Sequence, residues 1–257
     1  MTSGPQTITS RENALFKELR KLAHDNTAYR KQGRVWLEGD HLCRAALQRG
    51  QQPAMAVFQA SCWAATSAQW PDAIGKVVVV EDALYEQLSN LESPSRMAFQ
   101  LPLPATPAVQ PRQASVVLDG VQDAGNVGAI LRSAAAFGFQ QVLALKGTAA
   151  LWSPKVLRAG MGAHFGLHLV EGLDAAALEG LKLPLLATSS HQGDFLHQAK
   201  LPWPCGWVFG HEGQGVSAAL AARAAGHVRI IQPGGEESLN VAAAAAICLH
   251  ASAAARA

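Results

Sequence analysis

An α/β fold is what this sequence predicts, with a mainly parallel sheet in its larger second half and a smaller α/β unit ahead of it. Three observations carry that prediction. From Val116 onward, short β-prone apolar runs alternate with helix-prone stretches. Three of those runs end in glycine-rich loops that lead into helices. A proline-rich stretch also divides the 257 residues near their middle. Regular alternation of strand and helix favours a parallel sheet covered on both faces.

In the front part, Asn13 to Leu22 has the spacing of an amphipathic helix, with Leu15, Leu19 and Leu22 on one face. Val35-Trp36-Leu37 reads as a strand running into the Glu38-Gly39 turn, and His41 to Leu47 as the next helix. Val77 to Val80 is β-branched throughout, the pattern of a buried strand. Five prolines (Pro94, Pro102, Pro104, Pro107, Pro111) then fall between residues 94 and 113, a composition that makes a stiff connector. The chain therefore divides into a domain over 1–93, a linker over 94–113 and a domain over 114–257.

In the second part, strands are expected at 116–119, 141–145, 167–170, 185–188, 207–209 and 228–231. Helices are expected at 127–137, 154–161, 174–181 and 217–225, with a closing alanine-rich helix at 238–255. The punctuation agrees. Asp123 or Asn126 can cap the first helix, Gly138 can end it, and Ser153-Pro154 is a cap followed by proline at the first helical position.

Composition bounds the function. Apolar residues make up 49% and charged residues 16%, which describes an ordinary globular interior. The net charge of +2 hides an asymmetry: residues 1–37 hold seven basic side chains against three acidic ones. Such a surface is either a nucleic-acid footprint or a solvated helix face. Cys43, Cys62, Cys205 and Cys248 are scattered without a CxxC pair, as reduced cysteines of a cytoplasmic protein would be. The first residues lack the apolar segment of a signal peptide, and the longest apolar tract, 241–249, is too short to span a membrane. GxGxxG, GxxxxGK[ST] and GxSxG are absent, which disfavours dinucleotide, P-loop and serine-hydrolase chemistry. No cluster has metal-ligand spacing, so no metal is expected.

The three loops are Leu118-Asp119-Gly120-Val121-Gln122-Asp123-Ala124-Gly125-Asn126, Val208-Phe209-Gly210-His211-Glu212-Gly213-Gln214-Gly215 and Ile230-Ile231-Gln232-Pro233-Gly234-Gly235-Glu236-Glu237-Ser238-Leu239-Asn240. Ligands of open α/β sheets sit at such strand ends. Asn126 at a helix mouth, with Arg132 six residues on, suits a phosphodiester and its ribose; alternatively Asn126 is only a cap and Arg132 a surface ion-pair partner. Glycines of the second loop let backbone approach a ligand. His211 beside Glu212 is either a general base or simply a hydrogen-bonding residue.

With those residues laid out, the chain resembles the SpoU (TrmH) family of RNA ribose 2′-O-methyltransferases in the SPOUT superfamily. The match lies in Asp123-x-x-Asn126-x-Gly128-x-x-x-Arg132, Phe209-Gly210-x-Glu212-x-x-Gly215 and Ser238-Leu239-Asn240-Val241. The front part, with Ile8-Thr9-Ser10-x-x-Asn13 and Leu37-Glu38-Gly39, is similar to the family's L30e-like RNA-binding domain. The resemblance implies a trefoil-knotted domain, S-adenosylmethionine as cofactor, and a homodimer with the active site near the dimer interface. It implies catalytic roles for Arg132, Asn126, Glu212, Ser238 and Asn240, and cofactor contacts from Phe209, Gly210, Gly213, Ile230, Leu239 and Asn240. RNA, ribosomal in preference to transfer RNA, would be bound by Arg11, Asn13, Lys17, Arg20, Lys21 and Arg30. The alternative is a catalytically silent RNA-binding or ribosome-assembly protein on the same fold. One departure stands out: where the family commonly has proline and methionine, this chain has Ile231 and Gln232.

Overall fold

A computed structural model describes residues 4–70, 74–89, 91, 93–234 and 238–256. In chain order the elements begin with β1 (Gln6–Ile8), α1 (Ala14–His24), α2 (Ala28–Gln32), β2 (Arg34–Glu38), α3 (Asp40–Gln48), β3 (Met55–Gln59), α4 (Ala60–Thr66), β4 (Val77–Val80), α5 (Asp82–Tyr85) and β5 (Met97–Pro102). They continue with β6 (Ser115–Asp119), α6 (Ala124–Ala136), β7 (Gln141–Leu145), α7 (Pro154–Gly160), β8 (His168–Leu173), β9 (Leu185–Thr188), β10 (Asp194–Phe195), β11 (Gly206–Gly210), α8 (Ala218–Arg223), β12 (Gly226–Arg229) and α9 (Val241–Ala254). The chain forms two units, one of residues 1–105 with 152–165, the other of residues 106–151 with 166–257.

The first unit is built on a mixed sheet of order β1-β4-β3-β5-β2, in which β1, β4 and β3 run parallel and β5 opposes both of its neighbours. Helix α1 begins where the Asn13 side chain accepts from the Phe16 backbone N–H at 3.2 Å. Its buried face is Phe16, Leu19, Leu22 and Ala23, so Phe16 takes the place expected for Leu15. Two departures from the sequence reading occur here. The stretch 94–113 is not connector throughout, because Met97–Pro102 forms β5 between β3 and β2. Its five residues 97–101 contain no proline and are buried, and Pro102 stands at the strand's end, where a missing N–H costs least. The second departure is α7. It packs on β2, and Arg158 pairs with the Glu38 carboxylate at 3.5 Å, although it lies far along the sequence from both.

The second unit holds a seven-stranded sheet of order β10-β12-β9-β11-β6-β7-β8 in which every pair is parallel. Strands β7 and β11 are buried along their whole length, as strands covered on both faces must be. One face packs Val117, Leu143, Val170, Leu185, Val208 and Leu220 into a common core. On β11 the alternate residues Trp207 and Phe209 stack at 6.2 Å, and Trp207 Nε1 donates to Ser252 Oγ of α9 at 2.8 Å. After β11 the chain runs through α8 to β12, two strands away, and returns as α9 to pack on α6 and β11. Alanines along α9 allow that close approach. The helix expected at 174–181 is a 3₁₀ segment, Ala175–Gly180, burying only Leu178. Such short connectors commonly take this tighter form.

Candidate active site

Each of the three glycine-rich loops leaves the carboxyl end of a strand in the second unit. The first leaves β6 through Gly120, whose φ of +76° favours glycine. Asp123 caps α6, its Oδ1 accepting from the Asn126 N–H at 2.7 Å, which decides between the two expected caps. Asn126 is thereby freed to use its side chain elsewhere. The second loop leaves β11 and folds tightly on itself: the His211 N–H donates to Gly215 O at 3.0 Å, and the reverse bond is 2.8 Å. A Cβ on Gly210 would lie 2.0 Å from the Gly215 carbonyl carbon, so no other residue fits there. The Gly213 N–H donates to His211 Nδ1 at 3.0 Å. Since Nδ1 accepts, the ring's proton sits on Nε2, and His211 presents a donor rather than a base.

Glu212 joins the first two loops. Its Oε1 accepts from the Asp123 N–H and from Asn126 Nδ2, both at 3.1 Å, and its Oε2 accepts from the Gln122 N–H at 3.2 Å. Partial desolvation works to raise the carboxyl, but the Asn126 amide and then the Asp123 and Gln122 N–H groups outweigh it and hold it at about 2. The third loop closes the chain of bonds. Asn240 Nδ2 donates to Asn126 Oδ1 at 2.9 Å, while Asn240 Oδ1 caps α9 by accepting from Ala242 and Ala243. Glu212, Asn126 and Asn240, one from each loop, thus fix one another's orientation.

Beside this chain lies a cleft of about 680 Å³. Glu212, Ser238 and Asn240 of the expected catalytic set line it, as do Gly210, Gly213, Ile230 and Leu239 of the expected cofactor set. Asn126 reaches it only through its partners. Two expected residues stand apart from its wall. Phe209 is wholly buried against Trp207 because alternate β11 side chains serve the core, and the cleft begins only at Gly210. Arg132 is exposed on α6, and among the described residues it makes no hydrogen bond or ion pair. A fourth loop contributes what the sequence reading missed: Thr188 to Gln192, after β9, lines the cleft together with His227. Its signal was the polar run Ser189-Ser190-His191-Gln192 directly after an apolar strand.

In the first unit, Arg11, Lys17, Arg20, Lys21 and Arg30 are exposed, whereas Asn13 spends its side chain on the α1 cap. Lys17 pairs with Glu12 at 2.7 Å, and the Arg30 guanidinium lies 5.3 Å from the Tyr29 ring centre. Among the described residues no group of three His, Cys, Asp or Glu side chains is placed to hold a metal ion, and no helix is long and apolar enough to cross a membrane.

Residues 113–250, which carry all three loops, match the SpoU rRNA Methylase family. The chain belongs to that family. Residues 13–98 match the MRM3-like substrate binding domain. Among relatives, an uncharacterised tRNA/rRNA methyltransferase of Synechocystis is 31% identical over 272 residues, covering 97% of this chain and 94% of that protein. The 23S rRNA (guanosine(2553)-2′-O)-methyltransferase RlmP of Bacillus subtilis is 29% identical, covering 95% and 97%. The SpoU methyltransferase AviRb from Streptomyces viridochromogenes, solved in complex with AdoMet, superposes with a TM-score of 0.83 over 95% of this chain and 98% of that one. At 22% identity that likeness speaks for the fold.

Proposed function

We propose that this SpoU protein binds S-adenosylmethionine in the cleft and methylates a ribose 2′-hydroxyl of ribosomal RNA, acting as a homodimer. The observation that carries the reading is the hydrogen-bonded chain Glu212–Asn126–Asn240, which locks three family motifs into one wall beside the cleft. The cleft's character supports the cofactor: glycine backbone at Gly210 and Gly213, apolar Ile230 and Leu239, and a buried unpaired acceptor on Gln232. When bound, S-adenosylmethionine supplies a sulfonium methyl group. The protein's own task is orientation, since holding reactants in line accounts for much of the acceleration in such transfers. The full-length likeness to a 2′-O-methyltransferase of 23S rRNA supports ribosomal RNA as the substrate.

Each residue has a distinct part in this proposal. Glu212, ionised at any working pH, clamps the first two loops rather than carrying a proton. Asn126 and Asn240 set the wall against which ribose is positioned, and Ser238 offers a hydroxyl at its edge. Arg132 is a permanent cation, too weak a base to take the hydroxyl proton, and serves as an electrostatic stabiliser of the developing alkoxide and neighbouring phosphate. Its exposure on α6 supports a role met only when RNA and a second copy of the chain assemble. The return of the chain from β12 to α9 supports the knotted path that the family resemblance implies. The exposed Arg11, Lys17, Arg20, Lys21 and Arg30 would hold RNA backbone.

The test is the map of 2′-O-methyl groups on cellular RNA with and without this protein. One ribosomal position should lose its methyl, and an unchanged map would overturn the reading. Arg132→Ala should leave S-adenosylmethionine affinity within about twofold by calorimetry while lowering methyl transfer about 100-fold or more, the scale of losing one transition-state donor. Unchanged turnover would remove Arg132 from the site.

A further inference from the structure

Of the side chains lining the cleft, Gln232 alone holds a buried polar atom with no hydrogen-bond partner among the described residues, its Oε1. Arg229, the other residue of the second unit in that state, sets its guanidinium over the Phe195 ring at 4.0 Å and does not line the cleft. A buried acceptor without a donor has given up its bond to water for nothing, and native structures rarely leave one so. The next residue, Pro233, has no N–H to offer it. The position is also where the resemblance leads one to expect methionine, a side chain that needs no partner. The amide is thus a property of this chain, and its missing donor is one that a ligand can bring.

We propose that Gln232 is a cofactor-specificity residue whose Oε1 accepts a hydrogen bond from the exocyclic amine of the purine held in the cleft. This rests on the reading that the cleft takes S-adenosylmethionine. Two N–H-bearing groups of that cofactor compete for the role, the purine amine and the methionine ammonium. A buried cation demands a carboxylate or several acceptors. Among the described residues the carboxylate lining the cleft is Glu212, which already has both oxygens engaged by three N–H groups. Near Gln232 in the chain, the lining residues Val228, Ile230 and Leu239 are apolar, the surroundings that suit a flat neutral ring. A purine with a carbonyl in place of the amine could be met only by turning the amide over to present Nε2, which takes Oε1 from its buried seat, so it should bind more weakly.

Calorimetry on the full chain with S-adenosylhomocysteine and S-inosylhomocysteine, which differ at that exocyclic group, tests the assignment. The wild-type protein should prefer the adenosyl compound about tenfold or more, the scale of one good hydrogen bond. Q232M should shrink the preference to within about threefold, and Q232E, whose carboxylate has no N–H to turn toward a carbonyl, should retain or widen it. Thermal unfolding checks that the variants fold, with Q232L replacing Q232M if the latter does not. An undiminished preference in the apolar variant, or equal weakening of both compounds, overturns the inference and leaves the cofactor reading standing. If the wild-type protein binds neither compound, the cofactor reading itself fails and takes this inference with it.

Discussion

Glu212 shows how much a single side chain can decide when its partners lie on other loops. The sequence motif singles it out, and its hydrogen bonds tie its own loop to the one that follows β6. Its carboxyl, ordinarily near 4.5, is held at about 2 in the folded chain. A depressed carboxyl contributes stability in full above its unfolded value and loses it as pH falls through the folded one. The wild-type advantage over Glu212→Gln should therefore be level above about pH 5 and shrink between about 4.5 and 2, measured as the difference in melting temperature across a pH series. The side chain is largely exposed, so solvent screens the effect and the difference is small. The larger consequence is for the cleft: a glutamine turns one acceptor into a donor facing N–H groups, and cofactor affinity should fall about tenfold. Affinity equal to wild type would show that the clamp does not shape the cleft. At this scale the short motifs drew attention to Asn126, Glu212 and Asn240, which the fold joins by hydrogen bonds. Phe209, expected at the cofactor, has its ring in the core, because strand alternation depends on where β11 begins. Arg132 was visible as a residue, yet no hydrogen bond or ion pair engages it among the described residues.

Among elements, α9 carries the clearest double duty. Asn240 holds its amino end with Oδ1 and reaches Asn126 with Nδ2. These duties separate by substitution. Asn240→Asp keeps the acceptor for the cap, and a negative charge at a helix amino end is favourable, so stability should stay within about 0.5 kcal/mol of wild type. The same change turns an oxygen toward Asn126 Oδ1, and methyl transfer should fall about tenfold or more. Asn240→Ala should lose both, with a stability cost of about 1 kcal/mol from the missing cap. If Asn240→Asp transfers methyl groups as well as wild type, the bond to Asn126 is not needed for the reaction. The helix start at Ser153 could be read from the sequence because capping is local chemistry, Asp123 as one of two candidates, while Asn240 caps a helix that was expected to begin at Ser238. The strand β5 could not, since prolines on either side of five apolar and amide residues masked a segment whose pairing is long-range. β10, two residues long at the sheet edge, has no periodicity to detect.

For the molecule as a whole, the informative feature is that the first unit is not continuous in sequence. Residues 152–165 belong with residues 1–105, although residues 106–151 belong to the other unit. Composition shows a proline-rich stretch at 94–113 but neither the strand inside it nor where a later helix comes back. The return has an energetic reason. Glu38 is only 6% exposed, its carboxylate bonded by Ser89 and paired with Arg158 of α7, and α7 lies on β2, the strand that carries it. Removing one partner of such a pair leaves a buried charge poorly compensated, which is far more costly than deleting a surface ion pair. Arg158→Ala should therefore lower stability by about 1–3 kcal/mol in chemical denaturation, less than a fully buried pair would lose because Arg158 is itself 33% exposed. A front domain cut at residue 105 should fare worse, since it lacks both the ion pair and the α7 side chains Val156 and Leu157, buried in the whole chain. Circular dichroism and denaturant titration of the 1–105 fragment should show a loosely folded species with a shallow transition. A fragment as cooperative and stable as the front unit of the intact protein would mean that α7 covers the sheet without supporting it.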